Sequence, residues 1–271
     1  MVELSFRFEP NLSHIFECGQ CFRWNVQPDG SYIGVAGNEA VHAQVCGNKL
    51  ILNGTNNIKF WENYFDTAFD YENLKLNFIK DKTLKTCIEY GYGIRILRQD
   101  LFETIISFII SQRKNIPAIK TSVEKLSRLC GTPLGDGFYE FPTAEQILTA
   151  EELRSTGVGY RDEYIYKTAQ FILNGEFDLD NLIKLSTVEA KQELLKLPGI
   201  GEKVANCILL FGMNRFDTFP IDTWIERIFD KIYDIPTKEI AQFAETKFGQ
   251  YRGLAQQYLF YYYRENLKNI S

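Results

Sequence analysis

Residues 194–210 read Leu194-Leu195-Lys196-Leu197-Pro198-Gly199-Ile200-Gly201-Glu202-Lys203-Val204-Ala205-Asn206-Cys207-Ile208-Leu209-Leu210. A helix that reaches Leu197 ends there, because Pro198 cannot continue it, and Gly199 and Gly201 permit a tight turn. Apolar residues at 204, 205, 208 and 209 recur at helical spacing, so a second helix starts near Glu202. The stretch is a helix–hairpin–helix at about 191–213. Its two glycines leave backbone N–H groups bare at a helix N-terminus, a seat for one phosphate that needs no positive side chain. The same string also fits an ordinary connection between two helices.

Lys203 lies on the first turn of that second helix. The helix dipole and partial burial both disfavour an ammonium there, so its pKa is expected to fall toward neutrality. A neutral amine is a nucleophile that can form a Schiff base. Nineteen residues on, Pro220-Ile221-Asp222-Thr223 places a carboxylate where another helix begins. Asp222 alone reads as a helix N-cap, and Lys203 alone as a surface lysine. Together, behind this hairpin, they point to covalent chemistry.

The surroundings of the hairpin set the fold class. From about residue 95 apolar residues follow a helical period, as at Leu101, Ile105, Phe108 and Ile109. The pattern recurs at 117–129, 144–154, 161–173, 188–196, 202–213, 222–233, 237–247 and 253–267. The loops between carry Gly or Pro, as in 131–142, 157–159 and 198–201. Before residue 90 the segments are short: 21–24, 32–35, 40–45 and 49–52. They are split by Pro28-Asp29-Gly30, Gly37-Asn38 and Gly47-Asn48, which predicts an antiparallel sheet. Residues 53–70 are aromatic-rich and transitional. The fold class is α+β: an N-terminal antiparallel β-sheet domain over 1–92, then a mainly α-helical body of about nine helices over 93–271.

Composition narrows the function. The 271 residues carry 30 Lys+Arg against 35 Asp+Glu, a net charge of −5, which excludes a polybasic coat. A hydrophobic share of 45% and a charged share of 24% are those of a globular chain. Charge is uneven: residues 95–131 hold seven Lys/Arg against three acids, and residues 134–193 hold five against twelve. That permits a local positive groove with acid placed away from it. No apolar run is long enough to span a membrane, and the N-terminus does not read as a secretory signal. The six cysteines are therefore expected to be reduced thiols of a cytoplasmic protein. With two His in the chain, His-based catalysis is a poor first guess. Cys18-Gly19-Gln20-Cys21 matches C-x-x-C, which keeps a redox or zinc site as the runner-up from another class.

The hairpin followed by a Pro-x-Asp loop resembles the helix-hairpin-helix–Gly/Pro–Asp superfamily of DNA glycosylases, and within it most resembles the 8-oxoguanine DNA glycosylases. Four further matches occur in order. Gly19-Gln20-Cys21-Phe22-Arg23-Trp24 is similar to the family's N-terminal motif. Ile94–Asp100 with Ser107-Phe108-Ile109 is similar to its next helix. Gly157-Val158-Gly159-Tyr160-Arg161 resembles its Gly-x-Gly-Tyr-Arg, and Gly253-Leu254-Ala255-Gln256 with Phe260 resembles its base-reading helix.

The resemblance implies a bifunctional glycosylase and abasic-site lyase that flips an oxidised guanine out of double-stranded DNA. Lys203 would be the nucleophile, with Asp222 stabilising charge on the sugar. Phe260 would stack on the base, Gln256 would pair with its Watson–Crick edge, and Cys207 would line the opposite wall. The Gly19 carbonyl would accept the N7 hydrogen that 8-oxoguanine has and guanine lacks. Asn115, Tyr160, Arg161, Gly199, Gly201 and Val204 would contact DNA. No cofactor is required, although carbonyls of Leu195, Leu197 and Ile200 would hold a structural monovalent cation. The partner is DNA, with no membrane, and the protein is expected to be a monomer.

Two departures matter. Where the eukaryotic enzymes have an asparagine run and an arginine that read the orphan cytosine, this chain has Gln112-Arg113-Lys114-Asn115 and Ala118. Weakened opposite-base selectivity is expected. Trp224 stands where that family has a phosphate-contacting histidine, so that contact is not carried over. Two readings of the same fold remain open: an alkylated-base glycosylase, and a DNA-binding protein without catalysis.

Overall fold

The computed structural model describes residues 1–266. Its N-terminal part is a five-stranded antiparallel sheet. The strands are β1 (Val2–Ser5), β2 (Trp24–Val26), β3 (Tyr32–Ala36), β4 (Glu39–Cys46) and β5 (Lys49–Asn53), in the order β1-β5-β4-β3-β2. Gly37 and Asn38 both take positive φ, 57° and 63°, which gives β3 and β4 the two-residue turn whose twist matches their own. The inner face presents Leu4, Trp24, Tyr32, Val41, Ala43, Leu50 and Leu52 to one core. At its centre Trp24 stacks on Phe16 with ring centroids 4.1 Å apart and donates its indole N–H to the Tyr64 hydroxyl at 2.9 Å. Position 34 must be glycine, because a Cβ there would meet the Trp24 ring at 2.4 Å.

The chain turns helical earlier than the period change near residue 95 suggests. Helices Ile58–Tyr64, Tyr71–Lys75 and Lys82–Tyr90 precede it, each capped by the side chain of Asn57, Asp70 or Asp81. They are too short for a clear 3.6 period. Their aromatic content has a plain use: Trp61 and Phe65, spaced i, i+4, cover the sheet core.

The remainder is a helical body. Helix Leu101–Ser111 runs through its centre with nine of its eleven residues buried. Around it stand Ile116–Cys130, Ala144–Thr149, Asp162–Leu173, Leu179–Lys184, Thr187–Leu194, Glu202–Met213, Thr223–Ile228, Ile240–Phe248 and Arg252–Asn266. Three details differ from the expected pattern. The helix expected over 144–154 ends at Thr149 and resumes as a 3-10 turn at Leu153–Thr156. Helix Leu179–Lys184 is additional. A small hairpin, β6 (Pro133–Gly135) with β7 (Phe138–Tyr139), lies in a stretch read as loop. Of the helix expected over 253–267, residue 267 lies outside the described residues. Among the described residues no helix is long and apolar enough to cross a membrane.

The segment 18–24 stitches the two cores together. Cys18 and Phe22 belong to the helical core, while Cys21 and Trp24 belong to the sheet core. Gln20 is the polar tie between them. Its side-chain amide donates to the carbonyls of Ile15 (2.8 Å) and Arg95 (2.7 Å), and its Oε1 accepts from the Leu97 N–H (2.9 Å). Gln20→Ala would leave the Arg95 carbonyl and the Leu97 N–H without this partner and the Ile15 carbonyl with only the Cys18 thiol at 3.3 Å, each lost bond costing on the order of 1 kcal/mol or more. Urea unfolding is expected to show a destabilisation of about 3 kcal/mol with an unchanged m-value.

Candidate active site

The hairpin is built by ordinary local chemistry. Ser186 and Glu189 form a reciprocal capping box that starts helix Thr187–Leu194. Gly199 then takes φ +76°, and a Cβ there would strike the Tyr164 ring at 2.3 Å. The Gly199 carbonyl accepts from the Gln112 side-chain amide at 3.0 Å, which fixes the turn. Gly201 begins helix Glu202–Met213 with no side-chain cap, and nothing lies within 4 Å of a Cβ placed on it. The first N–H groups of this helix therefore have no side-chain acceptor from the residue that opens it. Ile200 and Val204 are buried and anchor the turn from below.

Lys203 and Asp222 reach one cleft. It has a volume of about 860 Å³, and Gly19, Phe108, Asn115, Lys203, Asp222, Trp224 and Phe260 are among the residues on its wall. The Lys203 Nζ sits 5.8 Å from the Phe108 ring centroid. Asp222 caps helix Thr223–Ile228, its Oδ1 accepting from the N–H groups of Trp224 and Ile225, both at 3.0 Å. Its reading as an N-cap and its place on the wall beside the lysine are thus both met.

The electrostatics correct one expectation. The Lys203 ammonium is held above its ordinary pKa by the Cys207 sulfur and, beyond that, by the Asp222 carboxylate, with burial pulling the other way. The dipole and burial follow from the helix position of Lys203, whereas these two neighbours are set by the fold. Cys207, one helical turn on and buried, has its thiol pushed up by burial, with Lys203 opposing. The resting amine is therefore protonated, and a proton must leave it before it can attack.

On the opposite side of the cleft, the Gly19 loop is pinned by its neighbours. The Cys18 carbonyl accepts from the Gln257 amide, and the Gln20 carbonyl accepts from Gln99 at 2.8 Å. Gly19 has φ +85°, and a Cβ there would lie 3.2 Å from the Phe260 ring. Phe260 is partly exposed on helix Arg252–Asn266. Gln256, on the same face, is buried, and its side-chain oxygen has no hydrogen-bond partner among the described residues.

The expected DNA-contact residues are placed less uniformly. Tyr160 is half exposed, Gly201 is exposed and Gly199 is partly exposed. Asn115 spends its side-chain oxygen capping helix Ile116–Cys130, accepting from the Ala118 N–H at 2.9 Å. Arg161 is buried and turned inward, donating to the carbonyls of Val158 (3.0 Å) and Gln112. Lys114 joins the same brace, donating to Ser122 Oγ and the Gly157 carbonyl, both at 2.6 Å. Gln112 and Lys114 stand out in the sequence only as departures from the family's asparagine run; their bracing of backbone carbonyls leaves no motif. Sequence reasoning passed over Arg264, which its i, i+4 spacing from Phe260 could have flagged.

Cys18 and Cys21 are buried, unbridged thiols, and burial pushes the Cys18 thiol up to about 11. That environment does not favour the thiolate that redox exchange or metal ligation needs. Among the described residues no group of three or more His, Cys, Asp or Glu is placed to hold a metal.

A glycine-turned hairpin beside a lysine and an aspartate, with a sheet domain closing the cleft, defines a helix-hairpin-helix base-excision protein. Residues 106–250 match the HhH-GPD superfamily of base excision DNA repair proteins, and residues 5–105 match the N-terminal domain of 8-oxoguanine DNA glycosylase. The chain belongs to the 8-oxoguanine DNA glycosylase family of that superfamily. It is 34% identical over 233 residues to a probable N-glycosylase/DNA lyase of Methanothermobacter thermautotrophicus, covering 76% of this chain and 74% of that protein. It is 30% identical over 282 residues to the N-glycosylase/DNA lyase OGG1 of Arabidopsis thaliana, covering 93% and 77%. The 8-oxoguanine glycosylase/lyase of Clostridium acetobutylicum, solved with double-stranded DNA containing cytosine opposite 8-oxoguanine, superposes with a TM-score of 0.91 at 37% identity, covering 98% of this chain and 99% of that one.

The two hairpin glycines respond differently to a methyl group. Gly199→Ala is strained by its positive φ and by Tyr164, and is expected to destabilise by about 2 kcal/mol or more. Gly201→Ala meets open space and is expected to change stability by less than about 1 kcal/mol. Thermal melting of the two variants against the parent checks the contrast.

Proposed function

We propose that this protein is a bifunctional DNA glycosylase and abasic-site lyase that excises 8-oxoguanine from double-stranded DNA. The observation that carries the reading is the convergence of Lys203, Asp222, Gly19 and Phe260 on one cleft large enough for a nucleotide. The lesion nucleotide leaves the helix and enters the cleft, where Phe260 stacks on the base, Gln256 reads its Watson–Crick edge and Cys207 lines the facing wall. The Gly19 carbonyl accepts the N7–H of the oxidised purine.

Asp222 orients Lys203, and the proton that the ammonium carries at rest passes to water before the attack. The Lys203 lone pair then forms a bond to the sugar C1′, while the bond from C1′ to the base breaks and its electrons leave with the purine. Asp222 stabilises the positive charge that develops on the sugar. Opening of the sugar ring gives an imine between Nζ and C1′. Loss of a C2′ proton then expels the 3′ phosphate by β-elimination. Lys203 is regenerated when water releases the imine.

The hairpin holds the DNA. Backbone N–H groups at Gly199, Gly201 and Val204 bind one phosphate, and Tyr160 lies against the backbone nearby. Leu195, Leu197 and Ile200 would hold a monovalent cation through their carbonyls; the Leu197 carbonyl already accepts from the Ile200 N–H at 3.2 Å, which leaves it a second lone pair. Such an ion would stiffen the turn and add positive charge beside the phosphate. No other cofactor enters the reaction. The working unit is a monomer acting on DNA in the cytoplasm, with the N-terminal sheet domain supplying the Gly19 wall and the helical body the rest.

Borohydride trapping on a duplex containing 8-oxoguanine tests the reading. The parent is expected to give a covalent adduct, and Lys203→Gln is expected to give none. Absence of the parent adduct would remove the Schiff base from the mechanism.

The orphan base has few readers here. Asn115 is committed to a helix cap, Arg161 is turned inward, and position 118 is alanine. Single-turnover excision from duplexes with C, A, G or T opposite the lesion is expected to differ by less than about tenfold, or less than about 1.4 kcal/mol. A strong preference for C would show that another group reads that base.

A further inference from the structure

Arg264 presents an unused donor at the edge of the cleft. Its Nη2 donates to the Glu17 carbonyl at 2.8 Å and its Nε pairs with Glu265 at 2.9 Å. Its Nη1 is buried and has no hydrogen-bond partner among the described residues. That nitrogen lies 3.8 Å from where a Gly19 Cβ would stand, and the guanidinium carbon is 5.4 Å from the Phe260 ring centroid. Arg264 is itself on the cleft wall. A buried N–H of a guanidinium left without an acceptor costs free energy, so a group that offers one there binds with gain. The neighbours say where that acceptor would lie: beside Gly19 and the Phe260 ring.

We propose that Arg264 is a further base-reading residue, its Nη1 donating to a carbonyl oxygen of the oxidised purine beside the N7–H that Gly19 accepts. This rests on the reading of the cleft as an 8-oxoguanine site. An oxidised purine carries a carbonyl oxygen on each side of N7–H, at C6 and at C8, so an acceptor and a donor held side by side match its edge. Guanine lacks both the C8 oxygen and the N7 hydrogen. The cation has a second effect. The purine leaves with the electrons of the glycosidic bond, and a guanidinium at its edge stabilises that charge as it forms.

Two substrates separate base reading from a merely structural role. A duplex with 8-oxoguanine presents the base edge, whereas a duplex with a preformed abasic site needs only Lys203, Asp222 and the phosphate grip. Arg264→Met is expected to slow single-turnover excision of 8-oxoguanine about tenfold to a hundredfold, the scale of one charge-assisted hydrogen bond. Strand cleavage at the abasic site is expected to stay within about twofold of the parent. Equal losses on both substrates, or no loss on either, would overturn the proposal. Should Arg264→Met not fold, Arg264→Lys keeps the cation but offers one donor nitrogen where the guanidinium offers two spaced ones, and a smaller selective loss on 8-oxoguanine is expected. A Lys variant with parental rates on both substrates would also overturn it. Failure of the unaltered protein to excise 8-oxoguanine, with abasic-site cleavage intact, would instead sink the lesion reading, and Arg264 as its reader with it.

Discussion

The helix Glu202–Met213 begins without a capping side chain, and much of the surrounding architecture is arranged around that omission. An uncapped N-terminus keeps several N–H groups unpaired, a state that globular proteins ordinarily relieve with Ser, Thr, Asp or Asn. Here the turn before it is held from outside instead. Gln112 donates to the Gly199 carbonyl, Arg161 donates to the Gln112 carbonyl, and Lys114 donates to the Gly157 carbonyl. Three loops that are distant in sequence become one braced surface. The carbonyls of Gln112, Gly157 and Gly199 are taken up by these side-chain donors, while the N–H groups that open helix Glu202–Met213 have no capping side chain. Tyr164 packs where a Gly199 Cβ would go, so the brace also dictates the residue at the turn.

The other half of the cleft has the same logic with different parts. The Gly19 carbonyl can act as an acceptor only if its neighbours do not compete for the space or swing it away. Both flanking carbonyls are tied, Cys18 to Gln257 and Gln20 to Gln99, while the Gln20 side chain is locked between Ile15, Arg95 and Leu97. In the proposed site the sheet domain therefore contributes a fixed carbonyl, and the helical body contributes the amine and the carboxylate. Neither core alone contains the site. Segment 18–24 passes from one core to the other residue by residue, so the separation of the two walls is set by packing on both sides.

What could be read from the sequence follows the reach of the interactions. The hairpin, the lysine and the aspartate were legible because Pro198, Gly199, Gly201 and the cap at Asp222 act within a few residues of themselves. The sheet was legible from its turns. Helix Ile58–Tyr64 was not, because seven residues do not complete enough turns to show a period, and its aromatic residues look alike in strand and helix. The inward turn of Arg161 was equally hidden: its partners are carbonyls of Val158 and Gln112, and a carbonyl has no signature in a sequence. The raised pKa of Lys203 shows the same limit. The influence of the dipole and of burial follows from its place on the helix, but Cys207 and Asp222, brought near by the fold, outweigh it.

The net charge of −5 takes its meaning from this arrangement. A protein that gripped DNA with many cations would need them exposed, yet several basic groups near this cleft are occupied. Lys114 and Arg161 brace loops, Lys120 donates to the Trp24 carbonyl at 2.7 Å, and Arg264 holds the Glu17 carbonyl. Their charge still sets the local potential, but their hydrogen bonds go to the protein. Proposed contact with phosphate therefore falls to backbone dipoles at the hairpin, which need no counterions in the free state. Such a grip is short in range and depends on the turn geometry being right. The bracing of the hairpin by Gln112 and Tyr164 serves that geometry.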